Sequence, residues 1–415
     1  MPETSRHPLS PIHTRACIVG GGPAGMMLGY LLARAGVDVV VLEKHADFFR
    51  DFRGDTIHPS TLELMHELGL IDDFLALPHE KADRLVGRVY GETVTMADFT
   101  HLPVHCKYLL LMPQWDFLDF LARKATRYPR FRLLRSAVVT DLVEDGERIV
   151  GVGADTPQGR LEVRADLVVG CDGRHTTVRE RAGLETQKIG APIDVLWFRV
   201  PRDAGTEEPT GGFIQPGSFF VTLNRGSYWQ CGHVIPKGSL ETLRAGGIEA
   251  WRDGLAQLAP SLAAGLKTVV SWDDVKLLTV EIDRMPRWYR EGLLCIGDAA
   301  HAMSPVGGVG INLAIQDAVA ASNLLTEALL GTRLSVDDLE RVQQRREWPA
   351  RVTQRMQVAV QDEVISAVLS GQRPLAEGLP LPLRMFQRFA LLQRLPARLV
   401  GLGVRPEHVR TKEAA

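Results

Sequence analysis

The sequence is poor in the residue patterns that hold metals or form disulfides. Its 415 residues include five cysteines, which are scattered along the chain, and no Cys-x-x-Cys pair occurs. A zinc site and a redox-active dithiol are therefore not expected. Scattered, unpaired cysteines favour a reducing compartment, and we expect a cytoplasmic protein.

Strong net charge and long apolar runs are also lacking. The 48 Lys and Arg residues nearly balance 50 Asp and Glu residues, and the net charge of −2 gives no electrostatic reason to expect nucleic acid as a partner. No apolar run approaches the roughly 18 residues that a membrane span requires, and residues 1–14 lack the apolar core of a signal peptide. We therefore expect a soluble protein, long enough for two or three domains.

The first 43 residues predict a complete βαβ unit. Residues 16–19 form a short apolar run typical of a buried strand, and the glycine-rich segment 20–25 follows it directly. Residues 26–35 have the pattern of an apolar helix that Gly36 ends, and 37–42 predict a second buried strand.

The glycine-rich segment has the spacing of a dinucleotide-binding turn. Gly20 permits the tight turn, Gly22 lets the backbone approach a pyrophosphate, and Gly25 lets helix and strand pack closely. The helix N-terminus then offers unpaired N–H groups and its positive dipole end to the phosphates. The cofactor contacts predicted in this turn are Gly20, Gly22, Pro23, Ala24 and Gly25.

An acidic residue stands where the ribose of such a cofactor would lie. Glu43 ends the second strand, and its carboxylate can accept hydrogen bonds from both ribose hydroxyls. The same carboxylate would repel a 2′-phosphate, so the site should hold FAD or NAD rather than NADP. Lys44, the next residue, is a further predicted contact.

Two later motifs distinguish FAD from NAD. Asp172-Gly173 follows a buried strand and resembles the DG motif of the single-component aromatic hydroxylases typified by p-hydroxybenzoate hydroxylase. Gly297-Asp298-Ala299-Ala300-His301, followed by Pro305 and by residues 307–312, resembles the GD motif and flavin-binding helix of that family. This helix would direct its N–H groups at the flavin edge where negative charge collects on reduction, while Asp298 binds the ribityl chain.

The resemblance implies further cofactor contacts and a fold. The contacts are Arg53, Gln114, Asp172, Asp298, Pro305, Gly308, Gly310, Ile311 and Asn312. The implied fold class is α/β, a Rossmann-type (glutathione-reductase-like) FAD-binding domain with an inserted, mostly antiparallel substrate-binding sheet and a helical C-terminal region. The expected FAD-binding segments are 14–84, 103–188 and 281–335, the sheet domain comprises 85–102 and 189–280, and the helical region is 336–415.

The family resemblance also implies a reaction. No second Gly-x-Gly-x-x-Gly follows a strand, as a dedicated nicotinamide domain would require. NADH or NADPH would therefore bind transiently to reduce FAD, and O₂ would add to give the C4a-hydroperoxyflavin, which oxygenates a small hydrophobic aromatic substrate. The difficult chemistry belongs to the flavin, and the protein excludes water and holds the substrate.

Catalytic and substrate-binding residues carry weaker signals. His58 and His301 are the candidate catalytic histidines, because each lies close in sequence to a predicted flavin contact. The candidate pocket residues are Trp197, Phe213, Phe220, Trp229 and Pro305. Since strands alternate faces, only about half of the sheet aromatics can point toward a substrate.

Two alternatives remain open at this stage. The same flavin fold serves reductases and dehydrogenases of apolar, isoprenoid- or polyketide-like substrates. A non-enzymatic alternative is an FAD-binding membrane-surface protein, because residues 379–415 interleave Leu, Phe and Met with seven Lys and Arg. A C-terminal helix that packs across the domain junction is the favoured interpretation of that segment, and the oligomeric state is left open.

Overall fold

The structure is a computed structural model that describes residues 9–49, 56–202, 210–331, 334–371 and 381–414. Within these residues, eight strands form the first sheet. Its central strand is Ile12–Val19, which pairs in parallel with Val39–Glu43 on one side and Gly159–Gly170 on the other. The other members are Phe131–Arg135, Val138–Asp145, Arg148–Thr156, Tyr289–Arg290 and Leu293–Cys295.

Helices cover the first sheet and bury its apolar strands. The first helix, Pro23–Arg34, is buried along ten of its twelve residues and packs against the long helix Gly310–Leu330. In the parallel part of this sheet, the strand residues on both faces are buried, as expected when helices cover both faces. The helix Gln114–Ala125 packs on the first helix and completes this layer.

The second sheet has seven strands and is mostly antiparallel. In spatial order the strands are Lys276–Thr279, Ile193–Pro201, Tyr228–Pro236, Ser218–Asn224, Gly211–Gln215, Arg84–Val89 and Glu92–Asp98. One face is covered by the helices Ile248–Leu258 and Ala263–Leu266, and we call it the helix face. The opposite face packs against Val306, which lies in the segment 297–312 that we call the flavin motif. We call this face of the sheet the inner face. The predicted fold class is confirmed.

Smaller elements connect the two sheets. A three-stranded sheet contains Thr56–Ile57, Leu109–Leu111 and Glu80–Ala82, and Gln187–Lys188 pairs with Asp283–Arg284. The remaining α-helices of the described residues are Pro59–Glu67, Ile71–Leu75, Thr177–Arg181, Leu240–Ala245, Val336–Ala359, Ser366–Leu369, Leu381–Arg388 and Ala390–Gly401. Short 3-10 turns occur at Pro260–Leu262, Trp272–Asp274, Gly297–Ala299 and Val306–Gly308, and a π-helical turn at Val360–Ile365.

The C-terminal region is helical only up to Gly401. Residues 402–414 instead cross the helices of the first sheet without regular structure. There Thr411 accepts a hydrogen bond from Arg34 at 2.8 Å, and the main chain of Ala414 bonds back to the carbonyl of Arg34 at 2.9 Å. The tail therefore joins the end of the chain to its first helix.

The helix Ala390–Gly401 packs on the edge strand Glu92–Asp98 of the second sheet, so this segment lies at the domain junction. Several apolar side chains of the segment nevertheless stay exposed, namely Met385, Phe389, Leu391, Leu392 and Leu395. Membrane contact by this segment therefore stays the less favoured of the two interpretations, and the structure does not test it. No helix of the described residues is both long and apolar enough to cross a bilayer.

A buried ionic network anchors the tail. Arg346 is fully buried and donates to Asp317 at 2.9 Å and to Glu407 at 3.2 Å. Arg345 adds a bidentate bond to the same Glu407 at 2.6 and 3.0 Å. Asp317 belongs to the helix of the flavin motif, so the network connects three segments that are distant in sequence.

Replacing Arg346 with Met should destabilise the protein by about 3–5 kcal/mol, because two buried carboxylates would lose a partner. Chemical denaturation would measure this free energy of unfolding. Arg341→Met is the matched control, because Arg341 is exposed and its ion-pair partner among the described residues is Asp338. This substitution should change the free energy of unfolding by less than about 1 kcal/mol. Equal effects of the two substitutions would contradict the role assigned to the network.

Candidate flavin and substrate sites

The glycine-rich turn has the shape that a pyrophosphate requires. Gly20 has a φ of +106°, and a Cβ there would lie 2.4 Å from the carbonyl oxygen of Cys171. A Cβ on Gly25 would lie 2.0 Å from the carbonyl oxygen of Gly20. A Cβ on Gly22, in contrast, would meet nothing within 4 Å. Gly20 and Gly25 therefore build the turn, while Gly22 leaves open space at the helix N-terminus where phosphates bind.

Glu43 is held in place by the main chain. Its side chain is buried, with Oε2 accepting from the N–H of Gly21 and Oε1 from the N–H of His45, both at 2.9 Å. These bonds fix the carboxylate beside the glycine turn at the end of its strand, which is the position needed to receive ribose hydroxyls. Lys44 is exposed next to it.

The GD motif forms a tight turn on two helices. Gly297 has a φ of +61°, and a Cβ there would lie 3.0 Å from the side chain of Ala314 and 3.3 Å from that of Ala24. Asp298 is exposed although both of its neighbours are buried. Its Oδ1 lies 4.0 Å from the position of a Cβ on Gly310, so the carboxylate stands beside the start of the long helix.

That helix start leaves donors for a flavin. Leu313 makes the first bond into the turn, to the carbonyl of Val309 at 2.9 Å, so the N–H groups of residues 310–312 precede it and have no partner within the helix. Gly307 and Gly308 have φ values of +78° and +62°. This is the left-handed region of backbone conformation, which favours glycine. Pro305 and Ile311 are half-buried beside this turn.

Asn312 acts through the protein rather than through its own free amide. Its Oδ1 accepts from the N–H of His58 at 2.9 Å and from the hydroxyl of Thr61 at 2.7 Å. Its Nδ2 donates to the carbonyl of Thr56 at 3.2 Å. The predicted contact of Asn312 with the cofactor would therefore come from its main chain, while its side chain holds the segment 56–61 against the helix.

The DG motif supports the GD motif. Burial raises the pKa of Asp172 despite hydrogen bonds from Thr176 and Val178, and its Oδ1 is buried with no partner among the described residues. Arg179 donates to the carbonyl of Ala299 at 3.0 Å and so links the two motifs. The unpartnered carboxylate oxygen and the open space at Gly22 both fit a bound FAD.

Two other predicted contacts have less definition. Gln114 is half-buried at the first position of the helix Gln114–Ala125. Arg53 lies outside the described residues. Both remain predictions.

The two candidate histidines are buried in different surroundings. His301 Nε2 lies 2.6 Å from Asp317 Oδ2, and its ring packs against Trp288, so it supports the GD turn from below. Burial raises the pKa of Asp317, but the neighbouring His301 and Arg346 lower it by more. The net shift of this pKa is therefore downward. This arrangement favours a structural role for His301, and its catalytic role remains untested.

His58 lines a cavity of about 120 Å³ between the helices Gly310–Leu330 and Val336–Ala359 and residues 399–405. Its Nδ1 lies 2.7 Å from the carbonyl oxygen of Val400 and therefore carries the proton. Nε2 is buried with no partner among the described residues. Burial lowers the pKa of His58 to about 4, so the ring is neutral near pH 7.

The structure does not bring the predicted pocket aromatics together. Phe213, Phe220 and Trp229 lie on the helix face, where they are buried in one cluster with Trp251. The sheet itself therefore lies between these three side chains and the inner face. Trp197 lies on the inner face, in a cluster that includes Val306, the residue after Pro305.

The inner face is flat because glycines lie under its aromatic rings. A Cβ on Gly232 would meet three atoms of the Trp197 ring at 3.2 to 3.4 Å, so this ring lies across the strand itself. Phe219 reaches over Gly212 in the same way, at 3.2 Å. Both rings pack in the apolar cluster that also contains Val306.

A row of glutamines that the sequence did not single out positions the flavin-motif loop. On the helix Val336–Ala359, Gln343 and Gln354 bond to main-chain atoms between Asp283 and Ala302. Gln357 accepts from the N–H of Ser304 and donates to the carbonyls of Ser304 and Val306. These glutamines are spaced by eleven and three residues, which places them on one face of the helix, and this spacing was the available signal. Polar residues at helical spacing, however, usually indicate a solvated face.

Gly22→Ala should abolish tight FAD binding without unfolding the apoprotein, because the added methyl meets no protein atom but occupies the pyrophosphate space. We expect at least a tenfold rise in the FAD dissociation constant, measured by quenching of flavin fluorescence. Gly25→Ala is the comparison, and its methyl would overlap a carbonyl oxygen and lower the melting temperature of the apoprotein. Normal FAD affinity in Gly22→Ala would contradict the site.

His58→Gln should flatten the pH dependence of stability. The folded-state pKa of about 4 lies below the ordinary value of about 6.5, so the unfolded chain binds the extra proton between these pH values. Stability from this residue is present above pH 6.5 and is lost as the pH falls, by about 2 kcal/mol between pH 7 and pH 5. Denaturation curves at the two pH values check this, and an unchanged pH difference in the variant would refute it.

Known proteins are similar to this chain in sequence and in fold. Residues 13–356 match the family described as FAD binding domain. The chain is 35% identical over 378 residues to 6-methylpretetramide 4-monooxygenase of Streptomyces rimosus, covering 89% of this chain and 90% of that relative. It is 29% identical to a 12-dehydrotetracycline 5-monooxygenase/anhydrotetracycline 6-monooxygenase of the same species, covering 76% of this chain but only 63% of that longer protein.

A solved structure agrees at the level of the fold. The structure of pqsL, a probable FAD-dependent monooxygenase from Pseudomonas aeruginosa, matches with a TM-score of 0.72 at 22% identity, covering 87% of this chain and 98% of that one. The glycine turn, the DG and GD motifs and the family match agree on one cofactor, and the predicted FAD is confirmed. The chain therefore belongs to the FAD-binding family of single-component aromatic monooxygenases.

Proposed function

We propose that this enzyme hydroxylates a planar, polycyclic aromatic molecule of the aromatic-polyketide type, with NADH or NADPH as reductant. The observation that carries the proposal is the flat surface of Trp197 and Phe219 on the inner face, which suits a fused-ring system. The compounds in the names of two relatives, 6-methylpretetramide and anhydrotetracycline, are consistent with this class. In the overall reaction, one oxygen atom of O₂ enters the substrate, and the other leaves as water with the two electrons of NAD(P)H.

When bound, FAD accepts hydride from the nicotinamide and activates O₂. The residues of this chain do the rest. The N–H groups of residues 310–312 and the positive end of the helix dipole would stabilise negative charge on the reduced flavin. Trp197 and the turn Pro305–Val306 would exclude water from the space between sheet and flavin, because both surfaces are apolar there.

The proposal predicts a dependence on ring number. FAD-loaded enzyme should oxidise NADH or NADPH at least tenfold faster with tricyclic or tetracyclic phenols than with monocyclic p-hydroxybenzoate. Mass spectrometry with ¹⁸O₂ should then show one labelled oxygen in the product. If the product carries no label, or if no phenol of any ring number is turned over, a reductase or dehydrogenase on the same fold would be favoured.

A matched pair of glycine substitutions tests the flat surface. Gly232→Ala places a methyl 3.2 Å from the Trp197 ring and should tilt the ring away from the strand, which lowers kcat/KM for the polycyclic substrate. Gly254→Ala, on an exposed helix position with nothing within 4 Å, should leave kcat/KM unchanged.

A further inference from the structure

Gln361, which continues the glutamine row just beyond the helix Val336–Ala359, has no hydrogen-bond partner among the described residues. Gln343, Gln354 and Gln357 each use both ends of their amides on other parts of the protein. Gln361 follows one turn later and is completely buried, yet neither its Oε1 nor its Nε2 has a hydrogen-bond partner among the described residues. A buried amide without partners is costly, so an external group is needed to satisfy it.

The local backbone at Gln361 is unusual as well. Residues Val360–Ile365 form a π-helical turn inside an otherwise α-helical stretch. Such turns are rare and occur frequently at functional sites, where they displace a side chain from its regular position. The π-turn here falls at the residue whose amide is unsatisfied.

The neighbours of Gln361 locate it at the substrate space. One turn before it, Gln357 holds the carbonyl of Val306 in the flavin-motif turn at 2.9 Å. One turn after it, Ile365 packs against Ile193 and Val195 on the inner face of the second sheet. Gln361 therefore lies on the helix between the flavin-motif turn and the inner face.

Trp197 supplies a second unsatisfied donor in the same region. Its ring packs in the cluster that contains Ile365 and Val306, and its indole Nε1 is buried with no hydrogen-bond partner among the described residues. An indole N–H usually finds a partner when buried. Trp197 thus lies in the cluster that contains Ile365, and Gln361 lies one turn before Ile365. Together they offer two donor atoms and one acceptor atom with no partner among the described residues.

We propose that Gln361 and Trp197 select the substrate by hydrogen bonds to one edge of its ring system. A carboxamide presents a donor beside an acceptor, so its complement is a group with an acceptor beside a donor, such as a carboxamide or lactam on a planar aromatic. This inference rests on the proposed function, because it assumes that a planar aromatic binds on the inner face. It names two specificity-determining residues and the polar group that they recognise.

Binding to the oxidised, FAD-loaded enzyme tests the proposal without turnover. The probes are anthracene-2-carboxamide and methyl anthracene-2-carboxylate, which has the acceptor but lacks the donor. Wild-type enzyme should bind the amide at least tenfold more tightly than the ester, measured by perturbation of the flavin absorbance or by quenching of tryptophan fluorescence. Gln361→Met should remove this preference, and Trp197→Phe should weaken binding of both probes.

Melting temperatures separate recognition from a structural role. Gln361→Met should melt at the wild-type temperature or above it, because it removes an unsatisfied buried amide. Gln357→Met, the matched control one turn earlier, should melt lower because it breaks three bonds to Ser304 and Val306. A lower melting temperature in Gln361→Met would show that its amide serves the fold and would overturn the proposal.

The binding results also distinguish this inference from the proposed function. Equal amide and ester affinities in the wild type, no binding of either probe, or an unchanged preference in Gln361→Met would each overturn the role of Gln361. Incorporation of ¹⁸O into a polycyclic phenol would still support the monooxygenase in each of these cases. Loss of ¹⁸O incorporation alone would overturn the proposed function.

Discussion

The carboxylate of Asp317 holds together the parts of the structure on which the flavin site depends. It is fully buried and accepts hydrogen bonds from the N–H of Gly297, from His301 and from Arg346. These partners belong to the GD turn and to the long C-terminal helix. A buried anion with three charged or polar partners is strongly stabilised only while all of them are present. The turn that places Asp298 is therefore held by a residue nineteen positions further along the chain, on the helix Gly310–Leu330.

The second sheet separates packing from recognition by means of its two faces. Its helix face holds the large aromatic cluster, while on its inner face the rings of Trp197 and Phe219 lie over Gly232 and Gly212. Alternation along a strand makes this division possible, since one strand contributes Phe198 to the helix face and Trp197 to the inner face. Substrate range can then change on one face without loss of the core on the other.

The shape of the glycine turn and the position of Glu43 beside it could be predicted from the sequence, because their signals are local. Gly20, Gly22, Gly25 and Glu43 act within one βαβ unit, and their spacing determines their positions. The pocket aromatics could not be predicted in the same way, because the face of Phe213, Phe220 and Trp229 depends on strand register and on which face the helices cover. The glutamine row was missed for a similar reason. Its amides replace water with main-chain atoms of a distant loop, which no hydropathy pattern reveals.

The crossing of the tail over the first helix imposes an order of assembly on the protein. The glycine turn leaves the ribosome early, yet Arg346 acquires its bond to Glu407 only when the end of the described chain has emerged. Until then a buried cation lacks one of its partners and the loop around Asp298 lacks part of its support. The loop around Asp298 therefore gains its full support only after residues 402–414 have packed against the buried Arg346.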